Sequence, residues 1–255
     1  MKHRVSSLTF LLVIALLFGA TVASQTPSQS SDKPLYQPTG SEVTIVGSIG
    51  VKGPIPRRLR LDMTADPVCI ELNDKPETED VLTNDDRLMN VFVYVKGESL
   101  AEHRFPLPDS EAILERRNCR FHPHVMGIRV GQKLTIPNSD PTHHNTHPTP
   151  KLNQEWNQTQ APLGPPIVKT FPREEVLIPF KCNQHPWEKA YVAVLSHPFF
   201  AVTDSFGNYE IRGLPLGTYT LVAWHERFGE QQIEISVARN ETRRADFDFD
   251  TNKKP

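Results

Sequence analysis

Two residues with metal chemistry stand three apart in the segment Val176–Val194, VLIPFKCNQHPWEKAYVAV: Cys182 and His185. β-Branched and aromatic runs precede and follow the pair, so it falls in a tight loop between two strands. Such a loop can aim a thiolate and an imidazole at one point. A soft sulfur with two borderline nitrogens in trigonal array, completed by a weak axial ligand, is the donor set of a copper site with one cysteine and two histidines. The second nitrogen must come from another strand end. Residues 131–147, GQKLTIPNSDPTHHNTH, supply His143, His144 and His147. On an extended chain His144 and Thr146 share one face while Asn145 and His147 share the other.

The elements that must position these groups read as all-β. Short runs bounded by Gly and Pro recur at 43–49, 91–95, 127–130, 133–136, 176–180 and 191–195, and 23 prolines punctuate the chain. Only Ser110–Arg117, SEAILERR, predicts a short helix, with Ser110 as its cap. No long amphipathic helix appears, which argues against an α/β enzyme. Beyond His197 the runs 200–204, 209–211, 219–224, 232–237 and 245–249 alternate apolar and polar residues between turns, the pattern of a small antiparallel sandwich.

That C-terminal stretch, VTDSFGNYEIRGLPLGTYTLVAWHE, resembles the carboxypeptidase regulatory-like (transthyretin-like) module, over roughly 55 residues. The resemblance implies a fold and is nearly silent on function. Because the module is short, 43–49 or 91–95 can complete it, which would make the histidine- and cysteine-bearing part an insertion into a split sandwich. The domain plan is therefore a copper domain over 41–196, with its core at 119–196, and a regulatory-like module over 197–250, the strands within 41–100 being assignable to either.

The strand, Asn138-Ser-Asp140 and His144-Asn145 sequence resembles the first-histidine motif of plastocyanin-like cupredoxins, and FHPHVMGIRVGQKLTIPNSD resembles the strand pair that precedes it. The likeness spans about residues 119–196 and implies a cupredoxin-like Greek-key β-sandwich. It makes His144 the third ligand, with His147 as the alternative. It makes Asn145 the neighbour that hydrogen-bonds across to the cysteine loop, and His185 the imidazole whose edge meets solvent. In that family the loop often reads Cys-x-x-His-x-x-Met; here the last position is Glu188. A carboxylate is a harder, more basic donor than a thioether. If Glu188 binds, Cu(II) is favoured over Cu(I) and the spectrum moves away from an intense blue.

Compartment and charge frame this reading. Lys2 and Arg4, an apolar run from Leu8 to Ala20 and the small residues Val22-Ala23-Ser24 predict a signal peptide over 1–24, too short to span a membrane. Residues 25–40, rich in Ser, Pro, Gln and Thr, read as a flexible leader. The protein is expected in the periplasm or secreted. An exported protein with three cysteines is most simply solved by a Cys69–Cys119 disulfide and a free Cys182, although other pairings stay open at this point. Without Lys2 and Arg4 the chain has 26 basic and 30 acidic residues, a net charge of −4, which argues against nucleic acid and suits a basic redox partner such as a cytochrome. The expected function is electron transfer or copper handling without catalysis. Its competitors are a metal-free extracellular sandwich that binds polysaccharide or protein, and a zinc peptidase built on His185-x-x-Glu188. The last lacks the roughly 300-residue α/β domain such an enzyme needs.

Overall fold

The computed structural model describes residues 33–239 and 241–252. The expected signal peptide, and 25–32 of the expected leader, lie outside the described residues. Those described form an almost entirely β structure, with one five-residue helix, Pro67–Glu71, and one 3-10 turn, Glu98–Glu102.

Four of the five sheets stack in layers, the fifth being the two-stranded pair Glu115–Arg117 and Arg120–His122. The outermost holds Val43–Lys52, paired on one side with Asn208–Leu214 and on the other, in parallel, with Thr242–Arg244 and Phe247–Asp250. The next holds Phe92–Lys96 between Phe200–Val202 and Gly217–His225, with Gly229–Val237 beyond. The early strands thus pair with the C-terminal segment and not with the histidine- and cysteine-bearing sheets. The third layer runs Gln158–Gln160, His144–Pro148, Glu175–Lys181, Lys189–Leu195, Val125–Arg129. The fourth runs Ile167–Lys169, Leu134–Ile136, Ala112–Ile113.

Strand alternation builds the cores between layers. Val93 and Val95 point into the first sandwich with Ile45, Ile49, Leu221 and Phe247. Phe92 and Tyr94, on the other face, meet Val125, Ala193 and Leu195 of the third layer. Phe92–Val95 is therefore apolar at every position because both its faces are covered. The second sandwich closes on Ile128, Leu134, Ile136, Ile178, Phe180 and Val192.

Two expectations are corrected. Ser110–Arg117 is not a helix: it forms strands Ala112–Ile113 and Glu115–Arg117. Leu114 and Arg116 are buried while Ile113 and Arg117 are exposed, a period of two. The amides of Ala112, Leu114 and Arg116 donate to the carbonyls of Lys133, Thr135 and Pro137, so pairing with the neighbouring strand overrides helical propensity. The end of the leader is not loose either. Tyr36 N donates to Arg104 O at 2.7 Å, and its ring lies 5.2 Å from that of Phe105.

His225 closes the C-terminal sandwich. It is 1% exposed, stacks on Phe228 at 4.8 Å and accepts from Arg227 N through Nδ1 at 3.2 Å. Burial pushes its pKa down from 6.5 to about 4. Between those values the unfolded chain binds a proton that the folded chain refuses, so stability is full above pH 6.5 and falls as pH drops toward 4. The expected loss is roughly 3 kcal/mol across the window. Denaturant unfolding at pH 7 and pH 4.5, with an NMR titration of His225, checks it; a ring that titrates near 6.5 in the folded protein would refute it.

Candidate metal centre

The loop 182–188 is closed by the Lys181–Lys189 pair at the end of its two strands. Within it His185-Pro-Trp-Glu188 is a turn, Glu188 N donating to His185 O at 2.9 Å, with Pro186 fixing φ at the second position. The turn brings the side chains of Cys182, His185 and Glu188 to one side. Asn145 clamps the loop from the adjacent strand: its Oδ1 accepts from Asn183 N at 2.8 Å and Gln184 N at 3.4 Å, and lies 3.4 Å from Cys182 Sγ.

His144 opens the strand His144–Pro148 and meets the loop. Ligand atoms of His144, Cys182, His185 and Glu188 all lie within 4.8 Å of one another, and all four residues are buried. The two Nδ1 atoms are 2.9 Å apart. Glu188 Oε1 is 2.9 Å from the one and 3.0 Å from the other, and Cys182 Sγ is 3.7 Å from His185 Nδ1. Each imidazole has its far nitrogen on a carboxylate: His144 Nε2 on Asp140 at 3.1 Å, His185 Nε2 on Asp66 at 3.0 Å. Those carboxylates fix the tautomer that carries hydrogen on Nε2 and leave the Nδ1 lone pairs facing inward, the arrangement of metal-bound histidines. Although Glu188 Oε1 lies so close to both rings, it is buried and accepts an aligned hydrogen bond from neither. Electron pairs from two nitrogens, a sulfur and an oxygen thus converge on one point, and that donor set fits a cation.

The four groups also shift one another's protonation. Burial alone would lower His144, but Asp140, Cys182 and the adjacent Glu188 charge outweigh it and raise its pKa to about 10. His185 is raised to about 9 by Cys182 and Glu188, again against burial. Burial would raise the Cys182 thiol, yet His144 and His185 bring it down to about 6, into the range where the thiolate, the metal-binding form, dominates at neutral pH. Glu188 falls to about 2 despite its burial, through the same histidines and Arg116.

His185 differs from expectation. It is 4% exposed, so its edge does not meet solvent. The segment containing Asp66 and helix Pro67–Glu71 covers it. Asp66 caps that helix by accepting from Val68 N, binds Thr142 Oγ1 at 2.7 Å, and holds the imidazole. Cys69 on the helix forms a disulfide with Cys119, and Cys69 Sγ lies 4.0 Å from His185 Nε2. The Trp187 ring lies tilted against His185, centroids 5.0 Å apart, and its Nε1 donates to Cys119 O. Half-buried Trp187, and not His185, is the aromatic surface of the centre. Cys182 is the free cysteine, and it is buried.

His147 stays outside, bound to Asn183 and Glu155. His124 pairs with Glu226 and His122 with Arg117 O, both away from the cluster. Sequence reasoning missed Asp66, Asp140 and Arg116. Asp140 stood within the Asn138-Ser-Asp motif, and the phase of Arg116 with Leu114 was a signal that it faces inward. Asp66 left no local signal, since its task depends on a helix placed by a distant disulfide.

The carboxypeptidase regulatory-like domain family matches residues 182–250, from the 182–188 loop to the last described strand. No curated protein matches the chain. Among solved structures, a reduced amicyanin variant is 18% identical over 40% of this chain and 97% of its own, with a TM-score of 0.30. A purple cupredoxin from Nitrosopumilus maritimus is 21% identical over 33% and 99%, at 0.29. The Cu-containing nitrite reductase from Thermus scotoductus SA-01 is 19% identical over 34% of this chain, which spans only 23% of that enzyme, at 0.29. These likenesses are partial and distant; the functional reading rests on the side chains.

Proposed function

We propose that this is an exported copper-binding protein of cupredoxin type, which carries single electrons or handles copper without turning over a substrate. The observation that carries the reading is the convergence of His144 Nδ1, His185 Nδ1, Cys182 Sγ and Glu188 Oε1, with each histidine oriented from behind by a carboxylate. Cys182 and the two histidines would be the strong donors and Glu188 the fourth. Copper, when bound, supplies one-electron chemistry or is itself the cargo. The chain's own part is to hold a thiolate beside two neutral imidazoles, keep water off them and resist rearrangement. The Asn145 clamp, Asp66, Asp140 and the cover over His185 all serve that end. An electron-transfer partner, of the kind a cytochrome represents, would approach at Trp187.

Titration with Cu(II) tests the reading: one equivalent taken up, with a thiolate-to-copper absorption band, supports it. Preference for zinc without colour, or no uptake by folded protein, refutes it. Glu188→Gln keeps the shape and removes the anionic donor, so the reduction potential is expected to rise. Voltammetry of both copper-loaded proteins checks this; an unchanged or lower potential places Glu188 outside the coordination sphere.

A further inference from the structure

We infer that Arg116 is a positioning residue that restricts Glu188 to a single, weakened oxygen toward the metal. The inference rests on the copper reading above and concerns how that site is tuned.

Arg116 is completely buried, a rare state for an arginine. Its guanidinium is held on every side. Nε lies 2.9 Å from Glu188 Oε2, Nη1 donates to Gln160 Oε1 at 3.2 Å, and Nη2 donates to Asn145 O at 3.2 Å. The plane sits 4.2 Å over the Phe121 ring. Gln160 is itself anchored, its Nε2 donating to Ile136 O at 2.9 Å. The cation cannot swing away, so Oε2 is committed to it and Oε1 alone faces the imidazoles. The Nε–H does not point squarely at Oε2, so the contact is one of adjacent charges and not an aligned hydrogen bond.

Two consequences follow for a bound copper. Attachment through both carboxylate oxygens would draw Oε2 off a buried, otherwise unpaired cation, which is unfavourable. The adjacent positive charge also draws electron density from the carboxylate and makes Oε1 a poorer donor. With copper bound, Arg116 would thereby keep Glu188 a weaker donor than Cys182, His144 and His185. Its contact with Asn145 O ties the same cation to the strand that begins at His144.

The test compares copper-loaded proteins by visible absorption and electron paramagnetic resonance. In Arg116→Gln the freed carboxylate should bind more strongly. The thiolate band should lose about half its intensity and the copper hyperfine splitting should widen toward tetragonal values. Arg116→Lys, which keeps the charge without the fork, should fall between. Should Arg116→Gln fail to fold alone, the comparison is Glu188→Gln with the Arg116→Gln/Glu188→Gln double variant. With the carboxylate gone, changing Arg116 should leave the spectrum the same, and a change of about two-fold there would overturn the inference. An unchanged spectrum in folded, loaded Arg116→Gln also overturns it while leaving the copper site standing. Absence of a thiolate band in the unmodified protein would instead overturn the copper reading itself, and this inference with it.

Discussion

Cys182→Ser is expected to abolish the thiolate-to-copper band and to weaken copper binding by well over the roughly 10–100-fold that loss of an orienting partner costs. The reason lies in the softness and charge of the sulfur. His144 and His185 bring the thiol to about 6, so a thiolate is ready at neutral pH. A serine hydroxyl in the same place stays protonated and is a hard, neutral donor. The fold should hold, because Asn145 keeps its bonds to the Asn183 and Gln184 amides whatever occupies position 182. Visible titrations and competition with a chelator measure both effects. A serine variant that binds copper as tightly, or keeps the band, would remove Cys182 from the site.

Removing the Cys69–Cys119 disulfide in a Cys69→Ala/Cys119→Ala protein is expected to cost about 4 kcal/mol, the chain-entropy value for a link across 50 residues. The consequence is local as well as global. Helix Pro67–Glu71, which carries Asp66, is pinned to the Asn118-Cys119 turn by that disulfide and by Asn73 Nδ2, which donates to Cys69 O and Asn118 O. Without the link the cover over His185 should open more often. Copper should then pass to a chelator faster, while the visible spectrum of the loaded protein stays close to that of the parent. A denaturant midpoint shifted at constant m-value, with the exchange rate, reads both effects. Unchanged stability and unchanged exchange would show that packing alone holds the cover.

The sequence was most informative where chemistry and spacing coincide. Cys182, His185 and Glu188 fall three residues apart between two β runs, and the structure brings them together with His144 through a proline turn. The strands after His197 were plain because one face is apolar and the other wet. Ser110–Arg117 misled for the opposite reason: its composition suits a helix, and only pairing with the neighbouring strand Leu134–Ile136 and its flanking carbonyls makes it extended. Arg116, which nothing in its local composition marks out, is buried by that pairing. The cover over His185 was illegible, since Asp66 and Cys69 reach the site from more than a hundred residues away through one disulfide. Glu188 could be read from sequence only as a conditional donor; the fold buries it with Arg116 beside it.

X-ray absorption at the copper edge of the loaded, unmodified protein probes the donor set itself. One sulfur with two imidazole nitrogens, and a weaker oxygen, is the predicted first shell. A shell of nitrogen and oxygen alone, in folded protein whose Cys182 is reduced, would contradict it.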